Sequence, residues 1–182
     1  MPRLHPIDDA SASAEATTLL REIKAAYGSI PNAMRTMAAS PELLRGMLEL
    51  AKSLRPTLSP ELRERIAITV AEQNSCTYCL SAHTAAGRAV GIPTDELMRS
   101  RSGESADPAI AAALSFARAV NATRGGVTDD DLAALRAAGY GDAEIAAIVG
   151  HVALNVLTNY FNRVAQPALD FPLVEPDLAR AA

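Results

Sequence analysis

The chain has 182 residues, a net charge of −4, and 49% hydrophobic and 21% charged residues. That size and balance suit one globular domain, or one domain with a helical extension, that buries a core without disulfide or metal staples. No basic stripe stands out, which argues against nucleic acid as a partner; no apolar run reaches membrane-span length; and residues 1–18 lack a signal-peptide core, so the expected location is the cytoplasm.

Helix punctuation recurs along the chain. Residues 14–27 read as a helix ended by Gly28, and Pro31 opens a short helix over 31–38. Ser-Pro-Glu-Leu then occurs twice, at 40–43 and 59–62. Each copy offers a Ser N-cap, a Pro at the first helical position and an acid in the first turn, where it complements the helix dipole. Helices over 41–54 and 60–73 are expected. Ser75 is expected to cap the next helix, 76–90, which Gly91 ends and Pro93 keeps from resuming. Thr94 starts a short helix, 101–107 form a loop, and Asp107-Pro108 open a helix to about Arg124, stopped by Gly125 and Gly126. Thr128 and Asp131 have capping-box spacing for a short helix to 138. Asp142 is expected to cap a long apolar helix, 143–165, followed by an extended tail, 168–182. No run reads as a strand. Aromatics are only 4% and Trp is absent, so the core must be built from Ala, Leu, Ile, Val and Met, which suits packed helices. The expected fold class is all-α: one helical bundle over 1–182, with an N-terminal helical extension over about 1–55.

Cys76, Cys79 and His83 are spaced i, i+3, i+7. On a helix they fall within roughly 60° and share one face. Cysteines in a first turn feel the helix N-terminus, which favours the thiolate, and a His one turn after Cys79 can exchange a proton with it. Two blander readings stand beside the redox one. The pair can be buried core cysteines, or part of a structural zinc site, which would lack a nearby fourth ligand.

The preceding helix adds a test. At about 100° per residue, Glu61, Arg65 and Glu72 fall on one face that reads as solvated, with Glu61 and Arg65 at salt-bridge spacing. Glu64 falls elsewhere, among Ala67, Ile68 and Ala71. It is either a boundary Glu or a desolvated carboxylate with a raised pKa, suited to proton transfer. In 143–165, His151, Asn155, Asn159 and Asn162 form one polar stripe. The stripe is either a solvated face or one buried at a subunit contact or beside the cysteines.

Arg63-Glu64-Arg65, then Asn74-Ser75-Cys76-Thr77-Tyr78-Cys79 and Ala82-His83, are similar to the signature of the carboxymuconolactone decarboxylase superfamily. They resemble more closely its alkylhydroperoxidase D-like, peroxidase-related branch. That branch has a Glu twelve residues before the first Cys, then Cys-x-x-Cys, then a His four after the second Cys. Glu64, Cys76, Cys79 and His83 match all four positions. Softer likeness runs over about 20–172, through Ile30-Pro31-Asn32, Ser40-Pro41, Asn159-Tyr160-Phe161-Asn162 and Asp170-Phe171-Pro172.

The resemblance implies an all-α fold assembled as homotrimers or homohexamers. It implies reduction of organic hydroperoxides or hydrogen peroxide at the expense of a thiol or dithiol, with no metal, flavin or other cofactor. Cys79 would be the attacking thiolate, Cys76 the resolving thiol, and His83 with Glu64 the proton relay. One departure stands out: the best-known peroxidase of the family has a His between the cysteines, where this chain has Tyr78. Tyr donates hydrogen bonds but is a poor base near neutrality. The lactone decarboxylases lack the Cys pair, which argues against decarboxylation here. A general disulfide oxidoreductase, a redox sensor and a zinc-binding module remain as rivals.

Overall fold

The computed structural model describes residues 2–177. Among these are nine α-helices and no strands: α1 Ala14–Tyr27, α2 Asn32–Met37, α3 Pro41–Leu54, α4 Pro60–Gln73, α5 Thr77–Ala89, α6 Thr94–Arg101, α7 Pro108–Thr123, α8 Asp129–Ala137 and α9 Asp142–Ala165. The fold class is all-α, as expected. Most caps behave as the sequence implies. Ser40, Ser59 and Asp107 each accept a first-turn N–H and are followed by a helix-opening Pro. Thr128 and Asp131 form a capping box.

Two caps differ from expectation. Ser75 does not cap α5; it sits at φ 50° in the turn, and Cys76 is the N-cap, its Sγ accepting the Cys79 N–H at 3.3 Å. A connection this short needs one left-handed residue to reverse the chain, and Ser75 takes it. At α9, Gly141 is the N-cap and Asp142 the first helical residue. Glu144 reaches back to accept the Gly141 N–H at 2.9 Å, so the carboxylate that satisfies the terminus lies inside the helix. The tail has no regular structure over 168–177; the rest of the expected extended segment, 178–182, lies outside the described residues. Among the described residues, no helix is long and apolar enough to cross a membrane.

Helix α4 is the hub. It packs against α5, α6, α7 and α9, and Ile66, Ile68, Val70 and Ala71 are fully enclosed. Its Leu62, Ile66 and Val70 face one core with Leu114 of α7, Leu135 of α8 and Ile148 of α9. Its Ile68 and Ala71 face a second, with Leu80 of α5 and Leu97 of α6. A Cβ on Gly87 would lie 2.7 Å from Leu97 Cδ2, so this glycine lets α5 close onto α6. A third core joins α1–α3 to Leu154, Leu157 and Phe161 of α9.

Encirclement of α4 overturns the solvated face expected for Glu61, Arg65 and Glu72. Only Glu61 is exposed. Arg65 pairs with Glu96 of α6 rather than with Glu61, both side chains being almost fully buried. Glu72 has no exposed surface; Arg101 binds it through two hydrogen bonds of 2.7 and 3.1 Å, and the Asp177 N–H donates to it at 2.7 Å. A charge removed from water is tolerated only when paired. Helical periodicity groups these residues on one face but does not reveal that α6 covers most of it.

Burial pushes the Glu96 pKa up, but hydrogen bonds from Ser105 Oγ and the Ala106 N–H, with the Arg65 guanidinium, outweigh it and hold the carboxyl at about 2. The stabilisation is complete above the ordinary value of 4.5 and is lost as pH falls toward 2. Glu96→Gln, which strands the buried Arg65, should cost roughly 3 kcal/mol at neutral pH. Urea denaturation at a series of pH values should show that deficit shrinking over the same interval.

Candidate active site

The turn at Asn74–Cys76 folds α5 back along α4. Cys76 N–H donates to Ala71 O at 2.9 Å and Ser75 N–H to Glu72 O at 3.0 Å, closing the hairpin. At 1.5 Å per residue, Glu64 lies roughly 15 Å back from the turn and His83 about 12 Å along α5, so antiparallel packing brings them level. Glu64 Oε2 is 2.8 Å from His83 Nδ1. Both side chains are partly exposed, at 22% and 31%.

Of the two readings open for Glu64, the raised pKa is not what this environment produces. Desolvation does push it up, but the His83 charge and hydrogen bond, with Arg63, push it down by more, and the net direction is down. Glu64 is thus a fixed anion beside His83. It orients the ring by engaging Nδ1, which leaves Nε2 for chemistry.

Cys76 and Cys79 form a disulfide with a Cα–Cα distance of 5.4 Å. Both are almost wholly buried. On the Cys79 side, a cavity of about 480 Å³ opens between α2, α3, α5 and α9. Cys79, Glu64, His83, His151, Asn155 and Asn162 line its polar part, and Met34, Met37, Met47, Leu48, Leu154 and Phe171 its apolar part. The structure thus brings Glu64, Cys79 and His83 to the wall of one cavity.

The polar stripe of α9 is buried within this one chain. His151 Nε2 donates to Leu54 O at 3.2 Å. Burial lowers the His151 pKa against the pull of that bond, so the ring is neutral near pH 7. Asn155 Nδ2 donates to His151 O at 2.8 Å, and Asn159 Oδ1 accepts from Asn74 at 3.1 Å. Asn162 Nδ2 donates to Cys79 Sγ at 3.2 Å. That contact was the part of the stripe its periodicity could not disclose, because it depends on where α9 crosses α5.

Tyr78 is engaged elsewhere. Its hydroxyl donates to Asp170 Oδ2 and accepts from the Ala33 N–H at 3.2 Å. Burial, then the Asp170 bond, pushes its pKa far above the ordinary value. Asp170 also accepts from the Asn32 N–H at 2.8 Å, and Phe171 meets the phenol edge-on at 5.8 Å. Tyr78 therefore joins the Pro31–Ala33 turn to the tail across the cysteine helix. Asp170, absent from the candidates drawn from the sequence, had one signal: its place in the softer Asp170-Phe171-Pro172 likeness. Among the described residues, no group of three or more His, Cys, Asp or Glu is placed to hold a metal ion.

Comparison with known proteins agrees with the all-α fold. Residues 41–122 match the sequence profile of the carboxymuconolactone decarboxylase family. No curated protein matches the sequence significantly. Among solved structures, the alkylhydroperoxidase AhpD core of a peroxidase-related protein from Ralstonia eutropha JMP134 superposes with a TM-score of 0.82 at 22% identity, covering 99% of this chain and 94% of that one. A peroxidase-related protein from Silicibacter sp. TM1040 gives 0.76 at 22%, covering 99% and 93%. The debrominase Bmp8 gives 0.77 at 20%, covering 92% of each chain. At these identities the likeness establishes the fold.

Tyr78→Phe removes a hydroxyl bonded to a carboxylate and should cost roughly 2 kcal/mol of stability, read by urea denaturation. Iodoacetamide alkylation of reduced Cys79 should stay within about twofold of wild type. A much larger drop at unchanged fold would place the phenol in the proton path.

Proposed function

From the premise that the segment 41–122 is of the carboxymuconolactone decarboxylase family, with the alkylhydroperoxidase D-like fold around it, we propose that the protein is a thiol-dependent peroxidase. One observation carries the proposal: a Cys76–Cys79 disulfide at a helix start, beside a His83–Glu64 pair, at the end of a largely apolar cavity. An apolar cavity suits an organic hydroperoxide better than a purely polar substrate.

In the reduced protein the Cys79 thiolate attacks the terminal peroxide oxygen. The O–O bond breaks, and the alkoxide takes a proton delivered through His83, whose ring Glu64 holds. Cys79 is left as a sulfenic acid. Cys76 attacks that sulfur, water leaves, and the disulfide forms. Two thiol equivalents restore the pair by exchange. Asn162 supports the cycle, because its N–H stabilises negative charge on the Cys79 sulfur. Neither metal nor organic cofactor enters these steps.

Cys79→Ser should abolish consumption of cumene hydroperoxide with dithiothreitol as donor. Cys76→Ser should still form one sulfenic acid at Cys79, trapped by dimedone and located by mass spectrometry. Dimedone on Cys76 in Cys79→Ser instead would reverse the assignment. Tribromopyrrole, the ligand of Bmp8, is the control substrate. Debromination without peroxide turnover would reassign the electrophile, and turnover of protein disulfides alone would favour a general disulfide oxidoreductase.

Glu64→Gln should slow peroxide reduction at least tenfold, since positioned acid–base groups contribute ~100- to 10,000-fold. Glu64 is held below the ordinary carboxylate range and stays ionised as pH falls. The wild-type to variant rate ratio should therefore be flat from about pH 5.5 to 8. A ratio that bends near neutrality would restore the raised pKa.

A further inference from the structure

The two sulfurs face different spaces. Cys79 lines the 480 Å³ cavity and Cys76 does not. Cys76 lines a second, more open cavity of about 900 Å³, which Cys79 does not line. Tyr78 and Asn162 line both. The disulfide, the phenol and the amide are thus the partition between two chambers.

The second chamber has a chemistry of its own. Arg3 and Arg163 line it, and no acidic residue does. Neither arginine is ion-paired among the described residues. Arg3 is held in place from the backbone: its N–H donates to Ala165 O at 2.8 Å, and the Leu4 N–H to the same oxygen at 3.1 Å. The start of α5 supplies further donors, because the Thr77 and Tyr78 N–H groups precede the first intrahelical acceptor and have no acceptor among the described residues. Asn162 is more than nine-tenths buried, and its Oδ1 has no donor. Among the described residues, two guanidiniums without an ion pair and two backbone donors without an acceptor therefore stand at the approach to Cys76.

We propose that this chamber is the reductant site, and that it takes a small thiol carrying a carboxylate. The proposal rests on the disulfide cycle above and assigns its second half to a separate door. The donor carboxylate binds the arginines and the α5 N-terminus. The donor thiolate attacks Cys76 Sγ. A bond forms between donor sulfur and Cys76, the Cys76–Cys79 bond breaks, and the electron pair leaves on Cys79. Asn162 already points an N–H at that sulfur, so the leaving thiolate is stabilised where it forms. A second donor thiolate attacks the donor sulfur of the mixed disulfide and releases Cys76, which takes up a proton. Two donor thiolates become one disulfide, the protein gains two electrons and one proton, and Cys79 is left as a thiolate facing the peroxide cavity.

The charge of the protein makes the test sharp. A net charge of −4 would by itself repel an anionic thiol, so a preference for one requires a local site. Oxidised wild-type protein is mixed at low salt with 3-mercaptopropionate, 2-mercaptoethanol or cysteamine, and the reduced fraction is followed by alkylation and mass spectrometry. Rates are compared per thiolate. The anionic thiol should be at least about fivefold faster than the neutral one and faster still than the cationic one, with the gap narrowing as salt rises. Arg3→Gln with Arg163→Gln should erase the gap and leave the 2-mercaptoethanol rate within about twofold. Arg55→Gln, on the peroxide cavity, should leave the gap intact. Equal rates for the three thiols, or a gap erased by Arg55→Gln alone, would overturn the proposal. Because the assay starts from the disulfide and uses no peroxide, it stands or falls apart from peroxidase activity. Selective reduction without peroxide turnover would sink the peroxidase and keep the thiol site.

Discussion

Everything in this fold hangs on α4, a helix that others enclose along most of its length. α4 is ringed by α5, α6, α7 and α9, yet it carries Glu64, Arg65, Glu72 and Gln73. Each polar group on such a helix must find a partner on whatever element lies opposite, since an unpaired buried charge costs several kcal/mol. Arg65 meets Glu96 of α6, Glu72 meets Arg101 at the end of α6, and Glu64 meets His83 of α5. Apolar burial supplies most of the driving force, but it is indifferent to register. The three pairs are not: each is satisfied at one docking of one helix.

The candidate site inherits this economy. The same antiparallel closure of α5 on α4 that buries Leu80 and Ile68 also sets Glu64 against His83. α9 supplies the opposite wall, and the four residues of its buried polar stripe are each occupied by a different task. His151 and Asn155 tie α9 to the end of α3 and to itself, Asn159 ties it to the α4–α5 turn, and Asn162 touches the Cys79 sulfur. A polar stripe inside an apolar helix is costly unless fully used, and here most of it is.

Tyr78 illustrates how a residue inside a reactive motif can be structural. Its hydroxyl is spent on Asp170 and Ala33, so the position between the two cysteines anchors the tail over the site. The tail in turn reaches Ser81, which accepts the Val174 N–H at 2.9 Å, and Glu72, which accepts the Asp177 N–H. The walls of both cavities are therefore coupled to one strap of chain through the cysteine helix.

Local chemistry was legible in the sequence. Capping residues, helix-opening prolines and terminal glycines act within a turn of where they stand, so α1, α3 and α4 begin and end where the pattern places them. That Cys76, Cys79 and His83 lie along one helix start was legible from their spacing, whereas Glu64 was joined to them by its helix phase and the family resemblance. What surrounds a helix face was not legible. Periodicity reports which residues point the same way, but not whether water or another helix waits there. Glu72 read as solvated and is enclosed; Glu64 read as either a boundary residue or a raised acid and is held down by the His83 beside it. The cap at Ser75 moved to Cys76 because the turn needed a left-handed residue. Asn162 on Cys79, Asp170 on Tyr78, and the division of the two sulfurs between two cavities all join residues about 80 or more positions apart. Contacts at that range are decided only when whole helices pack, because burial depends on the partner surface and no stretch of sequence contains its own partner.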